Sequence, residues 1–358
     1  MDINLPFPFL KDKRLVVEGG KKVQISQDVE IIIYYEQMTQ ETRLKSRTAA
    51  ISVLSNTVLT LLKLIAGLLT GSVAILSEAI HSGMDLLAAI MAFVAVRASG
   101  KPADNDHPFG HGKFENLAGT LEAFLIFVAA GLIFYEAVAK LIHPEPVDNG
   151  LLWGVAVMGL STIANILVSN RLFKVGKQTD SVALIADGWH LRTDVYTSAG
   201  VFAGLLIMVA GEKLLPGRHF HWIDPVAAIF VTMLIVKAAW ALAIQSGKDL
   251  LDTSLPLAEE ELIRRHILEM APEVKGFHHL RTRKSGSSRY VDVHMVVEST
   301  MSVARSHELT DRLIGSIREH FPDTTLNIHV EPCDGVCATA CSAGCLVQEK
   351  KFLRNRGV

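Results

Sequence analysis

The chain has 358 residues, 49% of them hydrophobic and only 20% charged, with a formal net charge of -2. A composition this apolar excludes an ordinary soluble domain of that length. The balanced charge, with no interleaving of basic and aromatic residues, excludes a nucleic-acid-binding surface.

The start, MDINLPFPFL, has no basic stretch leading into a long apolar run, so no cleavable signal is expected. Residues 1–45 are otherwise polar, with one β-like run, VEIIIYYE. Six apolar segments follow, at roughly 48–70, 72–98, 117–142, 150–173, 181–209 and 222–246. Each is close to the roughly 20 residues a helix needs to cross a bilayer. Pro102, Pro144, Pro146, Pro216 and Pro225 fall at or beyond their ends, where no interior helix bond is lost. Lys and Arg gather before the first segment (Arg43, Lys45, Arg47) and after the second (Arg97, Lys101, Lys113). They gather again after the fourth (Arg171, Lys174, Lys177). The rule that such residues stay inside puts both termini in the cytoplasm of a multi-pass cell-membrane protein.

Residues 253–332 read as a small α/β domain. PLAEEELIRRHILEM has helical spacing. RYVDVHMVVE alternates, with Val291, Val293, Met295 and Val297 on one face and Tyr290, Asp292 and His294 on the other. Leu309, Leu313, Ile317 and Phe321 recur every fourth residue, which predicts an amphipathic helix, and TLNIHVE alternates again. The order helix–strand–strand–helix–strand suits a compact two-layer unit. The predicted division is a lead over 1–45, a membrane domain over 46–250, this domain over 251–332 and a tail over 333–358.

One stretch occurs twice. SVAILSEAIHSGMD (Ser72–Asp85) returns as SVALIADGWHLRTD (Ser181–Asp194), each copy inside an apolar segment. Residues four apart share a helix face, so His81 with Asp85, and His190 with Asp194, are two-ligand clips. Two clips on facing helices supply two nitrogens and two oxygens, the number and kind that tetrahedral Zn²⁺ takes. A single pair is equally a packing His and an Asp neutralised by a cation such as Arg192; the repetition favours the ion, because ionisable groups inside a membrane are costly and mark ion paths. Glu78 and Asp187 precede the two His by three residues and are candidates for intake or exit carboxylates, Glu78 reading more simply as an interfacial group. Two segments lie between the copies, which sit in the second and fifth, so they run in opposite directions, as in the inverted repeats of alternating-access transporters.

HSGMD, HLRTD, PADNDHPFGHGKFENL and the tail set LRTRKSG, VDVHMVV, SHELTD and NIHVEP together resemble the cation diffusion facilitator family over about residues 40–332. That resemblance implies an α-helical membrane protein with six transmembrane helices and a cytoplasmic ferredoxin-like domain. It also implies a homodimer and export of a divalent metal in exchange for protons; it implies no enzyme. The His–Asp pair on both helices resembles the zinc-selective pattern, though Cd²⁺ and Co²⁺ share these ligands. A second metal position resembles Asp104, His107 and His111, which lie in a short Pro/Gly loop. A cytoplasmic binuclear site resembles His278, His294, His307, His329 and Glu331, with His279 adjacent. By the same analogy Lys113 and Asp252 pair at the membrane–domain junction.

All four cysteines lie in one run, Cys333, Cys337, Cys341 and Cys345. In a reducing compartment clustered thiols point to metal rather than disulfides, but on a straight helix the outer two stand about 18 Å apart, too far to share one ion. The expected function is Zn²⁺/H⁺ antiport; a membrane-anchored metal sensor that transports nothing is the alternative.

Overall fold

The computed structural model describes residues 27–70, 73–142, 151–214, 223–333 and 344–346. Among them, six long helices come first: α1 (Gln27–Thr70), α2 (Val73–Ser99), α3 (Lys113–Ile142), α4 (Leu151–Gln178), α5 (Val182–Leu214) and α6 (Ile223–Leu250). Four of these contain spans long and apolar enough to cross a membrane, Gln40–Leu69, Ala79–Ser99, Lys113–Ala139 and Pro225–Leu250. The helices pack chiefly as α1 on α2, α3 on α6 and α4 on α5. Small buried residues line the crossings, among them Ala49, Ala88, Ala92, Ala123 and Ala239. That is the composition that lets helices approach closely without a hydrophobic driving force. Large apolar side chains such as Leu54, Leu68, Phe124 and Trp240 point outward.

The β-like run VEIIIYYE lies inside α1. Its isoleucines favour a strand only weakly. Extending a helix already nucleated by the apolar span beside it is far easier than starting a new element.

The second unit is α7 (Leu257–Glu269), β1 (Val274–Ser285), β2 (Ser288–Glu298), α8 (Val303–Arg318) and β3 (Thr324–Cys333). Its sheet has the order β1-β2-β3, antiparallel between β1 and β2 and parallel between β2 and β3. The described part of the expected ferredoxin-like domain is therefore a three-stranded mixed sheet. The predicted faces hold: Val291, Val293, Met295 and Val297 pack with Ile263 and Ile267 of α7 and with Leu309, Leu313 and Ile317 of α8. Each such side chain contributes about 1.5–3 kcal/mol on burial. Ser302 caps α8, its hydroxyl accepting from the Arg305 amide at 3.3 Å.

The β1–β2 turn docks onto the membrane helices. The Gly286 amide donates to Asn116 Oδ1 at 2.7 Å, and Lys45 Nζ donates to Ser287 Oγ at 3.0 Å. Gly286 has φ +60°, and a Cβ there would stand 2.7 Å from the Gly112 carbonyl oxygen. Asp180, in the α4–α5 turn, receives both Lys284 (2.7 Å) and Arg289 (2.9 Å). Lys45 also meets Glu115 at 3.4 Å, and Glu115 accepts from Ser99 Oγ at 2.9 Å and from Ser181 Oγ. One carboxylate thus ties the starts of α3 and α5, the end of α2 and the inner part of α1.

Candidate metal centres

On α2, Asp85 is 6% exposed, while the His81 side chain is half exposed. On α5, His190 is buried and Asp194 partly so. His190 Nε2 stands 3.2 Å from Asp85 Oδ1, and His81 Nε2 stands 3.9 Å from the same oxygen. His81, Asp85 and Asp194 each offer a ligand atom within 4.8 Å of the others. All four residues of the two clips therefore meet between α2 and α5. Arg192 takes no part: it donates to Asn170 Oδ1 at 2.6 Å and lies over the Phe173 ring.

Other groups here lie outside the repeated motif. Asn165 of α4 donates to Asp194 Oδ2 at 3.5 Å. Lys63, buried in α1, donates to Ser82 Oγ at 2.7 Å, and its charge is felt at Asp85 and Asp194. A lone lysine in an apolar run carries no sequence signal of its partner. Glu78 lies on α2, and its side chain is outside what the structure describes.

In the α2–α3 loop, Asp104, His107 and His111 also gather within 4.8 Å. Asp104 Oδ1 accepts from the amides of His107 (2.7 Å) and Asp106 (3.1 Å), and Oδ2 lies 3.4 Å from His111 Nε2. The His107 amide, and secondarily its ring and His111, hold the Asp104 carboxyl below its ordinary pKa. A carboxylate kept ionised beside two imidazoles is a cation's ligand set. His111 is buried against Phe114, which fixes its ring.

On the cytoplasmic sheet, His294 Nδ1 stands 2.8 Å and His329 Nε2 3.6 Å from Glu331 Oε1, while His278 Nε2 stands 3.3 Å from Oε2. Cross-strand register explains this: His278, His294 and His329 are direct neighbours across the three strands. His279 joins them, its ring 5.0 Å from those of His278 and His294. Strict alternation would send it to the opposite face. A bulge between His278 and Arg281, with His279 at φ +50°, turns it back. Partial burial, reinforced by His279 and His294, pushes the His278 pKa down against the pull of Glu331. The neutral imidazole that a metal needs is thereby favoured.

One predicted histidine stands apart within the single chain. His307 is not gathered with this cluster. It sits exposed on α8 beside Asp311 at 3.6 Å, because α8 covers the apolar face of the sheet and the histidines line the other. The two described cysteines also stand apart, as their spacing in sequence implied. Cys333 ends β3 beside Glu298, whereas Cys345 bridges Gly276 on β1. Three strand spacings, about 14 Å, separate them. Cys337 and Cys341 lie outside the described residues.

At the junction Lys113 Nζ meets Asp252 Oδ1 at 2.9 Å, and Arg283 joins at 3.3 Å. The hydrogen bond from Lys113 is the main cause of a lowered Asp252 pKa.

Known proteins agree with this layout. Residues 49–251 match the model of the cation efflux transmembrane domain, and residues 255–333 match that of the cation efflux protein cytoplasmic domain. The chain belongs to the cation diffusion facilitator family. The uncharacterized transporter sll1263 of Synechocystis sp. is 38% identical over 272 residues, covering 76% of this chain and 85% of that protein. The cation-efflux pump FieF of Salmonella newport is 32% identical over 295 residues, covering 82% and 95%. Among solved structures, the metal-bound C-terminal domain of the CzcD transporter from Thermotoga maritima is 28% identical. It covers 23% of this chain and 100% of its own, with a TM-score of 0.21. This is a membrane protein of a cation efflux family with an apolar helical domain and a cytoplasmic α/β domain.

Proposed function

We propose that this protein exports Zn²⁺ from the cytoplasm in exchange for protons, by alternating access, as a homodimer in the cell membrane. Six spans and two cytoplasmic termini complete the reading. The observation that carries it is the meeting of His81, Asp85, His190 and Asp194 between two helices that run in opposite directions. Two imidazoles and two carboxylates suit zinc. The dimer is supported by the cytoplasmic family model, whose label, ZT_dimer, names such an assembly. Exposed His307 is then available to a second chain.

Exchange follows from the ligand atoms. A hydrogen bond between His190 Nε2 and Asp85 Oδ1, 3.2 Å apart, requires a proton on that nitrogen. Zinc requires the same lone pair free, so ion and proton compete for one position. Facing the cytoplasm the site gives up its proton and takes the metal. Facing outward it is reprotonated and releases the metal. The loop carboxylate Asp104 with His107 and His111 would gather ions at the cytoplasmic mouth. The His278–His294–His329–Glu331 cluster would sense them and act through the docked β1–β2 turn.

Zinc uptake into inside-out vesicles, with and without an acidified lumen so that protons flow outward as zinc enters, tests this. Gradient-driven uptake lost in Asp194→Ala is expected. Uptake that ignores the gradient would reject the coupling.

A further inference from the structure

Two carboxylates deep in the helical domain have no part in the sites above. Glu122 of α3 and Asp187 of α5 are both fully buried, and none of their four oxygens has a hydrogen bond among the described residues. The negative charge of Asp187 acts on Glu122, and so does the ring of His190. Their neighbours Ala123 and Ala186 are buried in one cluster between α3, α5 and α6. An unpartnered buried carboxylate is costly, and two within electrostatic reach more so.

The Glu115 knot supplies a common level from which depth can be counted. Lys45, Glu115 and Ser181 touch there. Ser52, Glu122 and Asp187 stand seven, seven and six residues beyond them along α1, α3 and α5. At 1.5 Å per residue those are rises of about 10, 10 and 9 Å. Three helices thus bring an oxygen-bearing side chain to one level. The count holds elsewhere: Lys63 and Ser82, at about 27 and 26 Å by the same count, are hydrogen-bonded at 2.7 Å.

Ser52 is the independent observation. It is fully buried, its Oγ has no well-formed hydrogen bond among the described residues, and it lies close enough to Asp187 to act on that carboxyl. Thr48 and Asn56, one turn to either side of it on α1, are likewise buried with an unpartnered polar atom. A polar seam therefore runs along α1 from the knot toward His190, whose Nδ1 is also without a partner among the described residues. His190 is one turn beyond Asp187, so the seam ends at the transport site.

We propose that Glu122 and Asp187, with the Ser52 hydroxyl, form a staging site for the divalent cation, one helical turn short of the transport site. The proposal rests on the transport reading. Two carboxylates neutralise one divalent ion. The unpartnered oxygens of Glu122, Asp187 and Ser52 replace part of its hydration shell, and a short step delivers it to His190 and Asp194.

The test is equilibrium binding of Zn²⁺ to the full-length protein in lipid nanodiscs, with Asp194→Ala, Glu122→Gln and Asp187→Asn compared alone, and Glu122→Gln combined with Asp194→Ala. Glu122→Gln keeps shape and removes charge. The expected result is loss of one zinc ion in Asp194→Ala, loss of a different, weaker one in Glu122→Gln and Asp187→Asn, and loss of both in the double variant. In proteoliposomes the zinc concentration for half-maximal uptake should rise about tenfold in Glu122→Gln, in the range for loss of a supporting metal contact. If Asp194→Ala loses an ion and Glu122→Gln loses none, the staging site is overturned while the transport site stands. If Asp194→Ala loses none, it is the transport site that fails.

Discussion

Two ion pairs lie at the junction, Lys113–Asp252 between the two units and Lys45–Glu115 among the helices beneath it, and they should differ sharply in worth. Lys113–Asp252 is short, at 2.9 Å, but its side chains are 40% and 49% exposed. Water and salt screen it, and pairs of this kind contribute about 0–1 kcal/mol. Lys45–Glu115 is longer, at 3.4 Å, but its side chains are only 8% and 1% exposed. Glu115 also accepts from Ser99 and Ser181. Glu115→Gln would leave Lys45 buried with Ser287 Oγ as its remaining hydrogen-bond partner among the described residues. Removing one member of a buried pair costs about 3–5 kcal/mol. Thermal unfolding of the full protein in detergent, followed by loss of the monodisperse species, compares the two. Glu115→Gln should lower the midpoint by several degrees at low and high salt alike. Asp252→Asn should lower it little, and less at high salt. An equal or larger loss for Asp252→Asn would refute the reasoning.

Gly286→Ala forces a side chain onto a backbone at φ +60° and against the Gly112 carbonyl; we expect the turn to lift from α3, seen as faster amide exchange at Gly286 and Ser287. For the apo cytoplasmic domain, the lowered His278 pKa makes the folded chain refuse a proton that the unfolded chain accepts. Stability should therefore be full above about pH 6.5 and fall as pH drops below it, with the dependence weakened in His278→Ala and read by denaturant titration at several pH values. Cys333 and Cys345, on opposite sides of the sheet, should resist joining by a zero-length oxidant, and mass spectrometry of the treated protein should find no link between them.

The soluble unit was largely legible because one-dimensional period determines it. Leu309, Leu313 and Ile317 repeat at helical spacing, Val291, Val293 and Met295 alternate, and burial follows those periods. The meeting of His81, Asp85, His190 and Asp194 was legible for a different reason: His and Asp at the same spacing, twice, inside apolar runs. What the sequence hides depends on contacts between distant segments. Glu115 looks like any polar residue at a helix start until Lys45, Ser99 and Ser181 converge on it. Glu122 and Lys63 are single charges in apolar runs whose surroundings come from other helices. His279 joins the cytoplasmic cluster only through a bulge, which no alternation reveals. VEIIIYYE took its conformation from the helix it continues rather than from its own residues.

The central claim is that α2 and α5 hold one ion between them. Anomalous diffraction from crystals of the full protein grown with Zn²⁺ measures this directly. The account predicts a peak within about 2.0–2.2 Å of an oxygen or nitrogen of Asp85, His190 and Asp194, with His81 closing the set. A peak ligated from one helix alone, or none between the two, would contradict it.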